Sequence, residues 1–107
     1  MSKARDGLYD GLMGKPSIET EGCAFCKRYP VERHHIVPRS HGGKNGPTVT
    51  VCGFGNTSGC HGKLHSHRLH LRWNEGWEYL ETKEPTKEME ALDMDGWTRL
   101  GGRGFYA

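Results

Sequence analysis

RHHIVPRSHGG, residues 33–43, sets two imidazoles side by side, follows them with Ile-Val-Pro and closes on paired glycines. Successive side chains of a strand point to opposite faces, so His34 and His35 cannot both be there for one purpose. The run VERHHIV, residues 31–37, reads as a short strand that Pro38 terminates, because proline offers no N–H to a ladder. SHGGKNGP, residues 40–47, carries loop punctuation throughout. TVTVC, residues 48–52, alternates β-branched residues and reads as the second strand of a hairpin.

Four cysteines bracket this hairpin. CAFC, residues 23–26, makes a tight turn before it, and GFGNTSGC, residues 53–60, turns the chain from Cys52 round to Cys60. A C-x-x-C knuckle lets two thiolates reach one tetrahedral ion, and a second pair from a neighbouring turn closes the shell, here with a wider gap than usual. Two disulfides would use the same thiols. The chain has no apolar run long enough to span a bilayer and no leader with a hydrophobic centre. The expectation is therefore a cytoplasmic protein with no membrane contact, where thiols stay reduced and metal is favoured over disulfides. A closed four-cysteine site leaves no position for water or substrate, so it is structural. At 107 residues, with 34% hydrophobic residues and 16 glycines, a single domain has little core of its own. Zinc on Cys23, Cys26, Cys52 and Cys60 is expected to clamp it, and loss of that zinc to unfold it.

The remaining segments read more weakly. Residues 1–22 are polar and interrupted by glycine, with Leu8, Tyr9, Leu12 and Met13 forming one short helix or an arm. HGKLHSH begins a short helix after Cys60, and LHLRWNEGWEYLET reads as two strands around an Asn-Glu-Gly turn. PTKEMEALDMDGW holds a last short helix opened by Pro85 and closed by Gly96, and RLGGRGFYA reads as a loose tail. Trp73, Trp77, Tyr79 and Trp97 are spaced as packing residues of the C-terminal hairpin. The division is thus an N-terminal arm or helix (1–22), a core (23–72), and a C-terminal hairpin, helix and tail (73–107) packed on that core. Charge is divided in the same way. From residue 23 to 72 eight Lys and Arg face the single acid Glu32, whereas from 73 to 98 eight acids face Lys83 and Lys87. The half with the cysteines and all seven histidines is the half that attracts a polyanion.

Seven histidines exceed what a small surface needs. His61 and His65 lie one helical turn apart, the spacing at which two imidazoles grip one ion. If the zinc clamp fixes that helix against the first strand, His34 and His61, with or without His65, form a second metal site. His35 then faces the other way and serves as a base. An imidazole titrates near neutrality and can take a proton from water attacking a phosphodiester, while a divalent ion with few protein ligands stabilises the oxygens. His41, His67 and His70 read as phosphate-side or surface residues, and Arg33, Arg39, Lys44 and Lys63 as candidate DNA-binding cations.

CAFC, HHIVPRSHGG, VTVC and GCHGKLH, in that order over about residues 23–70, resemble the HNH endonucleases of the ββα-metal superfamily, in the small zinc-clamped form common in bacteriophages and prophages. The resemblance implies an α+β fold, a ββα-metal domain with a four-cysteine zinc site and a C-terminal β-hairpin extension. It implies a phosphodiester hydrolase that cleaves DNA to 5′-phosphate and 3′-hydroxyl ends with Mg²⁺, Mn²⁺, Ni²⁺ or Zn²⁺. By resemblance His34, His61 and His65 are ligands of that catalytic ion and His35 is the general base. The family's middle Asn falls on Pro47 here, so Asn45 takes the loop-bracing role as a catalytic residue, or Asn56 does. Phage relatives lie near packaging genes, which implies a terminase or packaging protein as partner besides DNA, in the cytoplasm of a host cell. A non-catalytic zinc module that binds nucleic acid is the competing reading.

Overall fold

The computed structural model describes residues 11–100, apart from the side chains of His41 and Asn56. Strands β1 (Val31–His35) and β2 (Thr48–Cys52) pair antiparallel, with His34 opposite Val49 and His35 opposite Thr48. Alternation along β1 puts Glu32 and His34 on the face that carries Val51 and Val49, both fully buried. Arg33 and His35 occupy the other face, where the Arg33 guanidinium donates to Thr50 Oγ1 at 2.7 Å and to Thr48 Oγ1. Between the strands lie two 3-10 turns, Arg39–His41 and Gly43–Asn45. The paired glycines are required there: Gly42 takes φ +85, and a Cβ on Gly43 would collide with the Val37 carbonyl.

Helix α1 (Gly59–His65) follows. At its start Gly59 takes φ +61, and a Cβ would sit 2.6 Å from the Cys52 carbonyl oxygen. Only glycine brings the two chain segments this close, and the approach sets Cys60 beside Cys52. A second sheet holds β3 (Leu69–Trp73), β4 (Trp77–Glu81) and β5 (Thr98–Arg99), all antiparallel in that order. Glu75 (φ 58) and Gly76 (φ 147) make the expected turn between β3 and β4. Helix α2 (Glu88–Leu92) lies between β4 and β5 in sequence. The molecule is a small mixed α/β domain with two antiparallel sheets. No helix among the described residues is long and apolar enough to cross a membrane.

Four details differ from the sequence expectations. Strand β1 stops at His35: Ile36 N–H still reaches the Pro47 carbonyl at 3.0 Å, but Pro47 has no N–H with which to return the bond. Residues 11–22 hold no helix; there Ile18 is fully buried and bridges Val49 in parallel, accepting from Thr50 N–H at 3.0 Å and donating to the Thr48 carbonyl at 2.8 Å. The last helix starts three residues beyond Pro85, since Thr86 N–H is engaged by the His67 carbonyl at 2.8 Å and Lys87 is still extended. The tail reading fails at its first residues, where Arg99 pairs with Glu78 and Leu100 is buried, its N–H donating to the Trp77 carbonyl at 2.9 Å. Leu8 and Tyr9 lie outside the described residues.

The core runs between the sheets. Ile18, Val49, Val51, Leu69, Trp77 and Leu100 form one cluster with Cys23, Cys52 and Cys60 at its edge. Trp77 is fully buried and donates from Nε1 to the Pro16 carbonyl at 2.8 Å, so the second sheet is tied to the arm. Phe25, from the cysteine knuckle, packs edge-on against Tyr79 at 5.2 Å between centroids. Trp97 is capped by the Arg72 guanidinium at 4.4 Å. Each fully buried large side chain contributes about 1.5–3 kcal/mol, and there are few of them, so the clustered cysteines matter to stability.

Candidate functional site

All four cysteines are free of disulfides, and their sulfurs lie within 4.8 Å of one another. Sγ of Cys26 is 3.5 Å from that of Cys52 and 3.8 Å from that of Cys60. A tetrahedral zinc site with Zn–S bonds of about 2.3 Å has sulfur–sulfur edges of about 3.8 Å, so the donor set fits zinc. Backbone donors already face two of the sulfurs: Phe25 N–H reaches Cys23 Sγ at 3.4 Å and Cys60 N–H reaches Cys52 Sγ at 3.3 Å. The hydrogen bond from the Cys60 thiol draws Cys23 down to about 4, against the opposing effect of burial. The same bond pushes Cys60 up. The cluster thus favours a thiolate even before an ion is considered.

One residue from Cys60, a second donor set forms. Nitrogens of His34, His61 and His65 lie within 4.8 Å of one another, with the His65 and His61 Nε2 atoms 3.2 Å apart. Ring centroids of His34 are 5.2 Å from His61 and 5.0 Å from His65. Helical spacing on α1 supplies two of these rings and the core face of β1 supplies the third. Burial, with the neighbouring His61, His65 and His35, holds His34 down to about 3. Burial, followed by His61 and His67, lowers His65 as well. These two rings are therefore kept neutral at physiological pH, the form in which imidazole binds a metal.

Glu32 completes the arrangement. His61 Nδ1–H donates to Glu32 Oε1 at 2.7 Å, which leaves Nε2 as the free ligand atom. Gly55 N–H is 2.9 Å from both Glu32 oxygens. The bond from His61, then that from Gly55, holds the Glu32 carboxyl below its usual range. Carboxylates behind metal-binding histidines fix the tautomer and ring orientation in this way. Sequence reasoning missed Glu32 as a site residue, although two signals pointed to it: it is the lone acid in a basic segment, and it lies two residues from His34 on the same strand face.

The histidine cluster opens into a cavity of about 1010 Å³ whose lining includes His35, Arg33, Arg39 and Lys15. His35 extends from the opposite face of β1 yet lines the same cavity as His34, since it ends the strand where the chain bends away. Arg39 is exposed there. Lys63 is occupied by Glu81 at 2.7 Å, and Lys44 and Asn45 are exposed in the second 3-10 turn, outside the cavity lining. The Asn56 side chain is outside the described set. His70, read from sequence as a surface or phosphate-side residue, is 1% exposed. Its Nδ1–H donates to Glu88 Oε1 at 2.9 Å, and its Nε2 has no partner among the described residues. Leu69 and His70 are both buried, so this end of β3 is covered on both faces, which the alternation of LHLRW does not reveal. No family model, curated protein or solved structure matches the chain.

Proposed function

We propose that this chain is a metal-dependent DNA endonuclease of the HNH type, built on a ββα-metal core with structural zinc on its four cysteines. The observation that carries the reading is the convergence of His34, His61 and His65 nitrogens within 4.8 Å at a cavity also lined by His35. Three imidazoles without a directly facing carboxylate suit Zn²⁺ or Ni²⁺ ahead of Mg²⁺ or Mn²⁺, which prefer oxygen ligands. A divalent ion bound there supplies positive charge to the phosphoryl and departing 3′ oxygens. The protein's own part is proton transfer and positioning. His35 takes a proton from the attacking water as its oxygen bonds to phosphorus, the P–O3′ bond breaks, and the 3′ oxygen leaves to become a hydroxyl. Glu32 keeps His61 in the ligand tautomer. The cations of the cavity hold the DNA backbone.

The test is incubation of supercoiled plasmid with the zinc-loaded protein and added Mg²⁺, Mn²⁺, Ni²⁺ or Zn²⁺. Nicking or linearisation is expected, falling about 10²–10⁴-fold in His35→Ala, which should keep its fold and its DNA binding. His61→Ala is expected to remain folded on the cysteine-bound zinc and to lose cleavage. Wild type that leaves plasmid intact with every ion makes the chain instead a zinc module that binds nucleic acid without cutting it, and equal cutting by His35→Ala removes His35 as the base.

A further inference from the structure

Four cations line the histidine cavity: Lys15, Arg33, Arg39 and Arg72. Two are neutralised within the protein. Arg33 pairs with Glu19 at 3.6 Å and is held by threonine hydroxyls, and Arg72 donates to Glu78 at 2.7 Å while lying on Trp97. The cavity's lining also includes Glu88, which is engaged by His70 at 2.9 Å, with His67 at 3.8 Å. Lys15 and Arg39 make no ion pair among the described residues. Lys15 is half-buried, and its ammonium rests 5.0 Å from the Trp73 ring centroid, a contact that restrains a flexible side chain without cancelling its charge. Arg39 begins the turn four residues after His35. The uncompensated charge at the site therefore comes from two separate chain segments, the arm and the loop after β1.

We infer that Lys15 and Arg39 are phosphate-contact residues that seat the backbone of duplex DNA in the histidine cavity. Lys15 is preset by Trp73, and Arg39 supplies a second contact from the loop that follows His35. This rests on the nuclease reading for the identity of the polyanion, but its readout is binding rather than cleavage. Each phosphate neutralised by a Lys or Arg adds about 0.9 to the slope of log affinity against log salt. The arm would thus belong to the substrate site, which no motif in residues 1–22 suggests.

The experiment is fluorescence anisotropy of a labelled duplex across a potassium chloride series, with zinc-loaded full-length protein and no added divalent ion. Lys15→Gln and Arg39→Gln are each expected to lower the slope by about one, additively in the double variant. Lys15→Arg should restore it. Lys83→Gln, an exposed lysine of the acidic segment, should match wild type. Thermal melts confirm that each variant is folded. Unchanged slopes in Lys15→Gln and Arg39→Gln, or an equal loss in Lys83→Gln, overturn the assignment while leaving plasmid cleavage to judge the nuclease reading. Wild-type protein whose binding to duplex does not weaken with salt overturns both.

Discussion

Removing the Glu32 carboxylate tests the histidine site at its least conspicuous member. Glu32 does two things at once: it accepts from His61 Nδ1 at 2.7 Å and from Gly55 N–H at 2.9 Å to each oxygen. Glu32→Ala removes both, frees His61 to protonate at Nε2, and leaves the ring unrestrained. Loss of such an outer partner lowers metal affinity about 10–100-fold, and losing tautomer control together with the tie to the Gly55 turn sets the expectation near the upper end of that range. Glu32→Gln keeps an oxygen for His61 but turns an amide donor toward another donor or away from it, and removes the negative charge; the lower end is expected. Calorimetric titration of Zn²⁺ or Ni²⁺ into protein whose cysteine clamp is already filled isolates the second, weaker step. Circular dichroism checks that the fold persists. An unchanged second-step affinity in Glu32→Ala refutes the idea that this carboxylate orients His61, and absence of a second step in wild type refutes the site.

Three other outcomes follow from the geometry. Cys60→Ser, or removal of zinc by a chelator, is expected to unfold the domain cooperatively, visible as loss of far-ultraviolet circular dichroism that returns on adding zinc to the chelated wild type. Ile18→Ala should cost about 2–5 kcal/mol in urea denaturation, because its side chain is fully buried between the hairpin and the second sheet. Acid should destabilise the protein through His34. Its pKa falls from 6.5 to about 3 on folding, so the unfolded chain takes up a proton first. Its contribution is complete above about 6.5 and is lost as pH falls toward 3. Urea midpoints measured downward from neutral pH should drop more steeply in wild type than in His34→Ala, and parallel curves would contradict this sign.

Where the sequence carried a local period, it spoke clearly. The β1–β2 hairpin, the β3–β4 hairpin and its Asn-Glu-Gly turn could be read because each depends on alternation and turn chemistry within a few residues. The four-cysteine cluster could be read because a C-x-x-C knuckle is a local constraint, and the glycines of residues 53–59 allow the second turn to close on it. The parts that escaped depend on distant partners. Ile18 stands alone in a polar stretch, and only the exposed edge of β2 gives it a burial site. Arg99 and Leu100 look like a tail until β4 offers an edge, after which two residues suffice to join it. His70 is buried because Glu88, eighteen residues on, meets its Nδ1. Glu32 looked like a surface acid until α1 delivered His61 to it.

Cys60 and His61 are consecutive residues of one short helix, and the peptide bond between them couples the two donor sets. An ion on the thiol cluster would anchor the helix start and, through it, the imidazole that faces β1. On the proposed reading, loss of zinc or oxidation of the thiols would thus weaken the histidine cluster without touching a histidine.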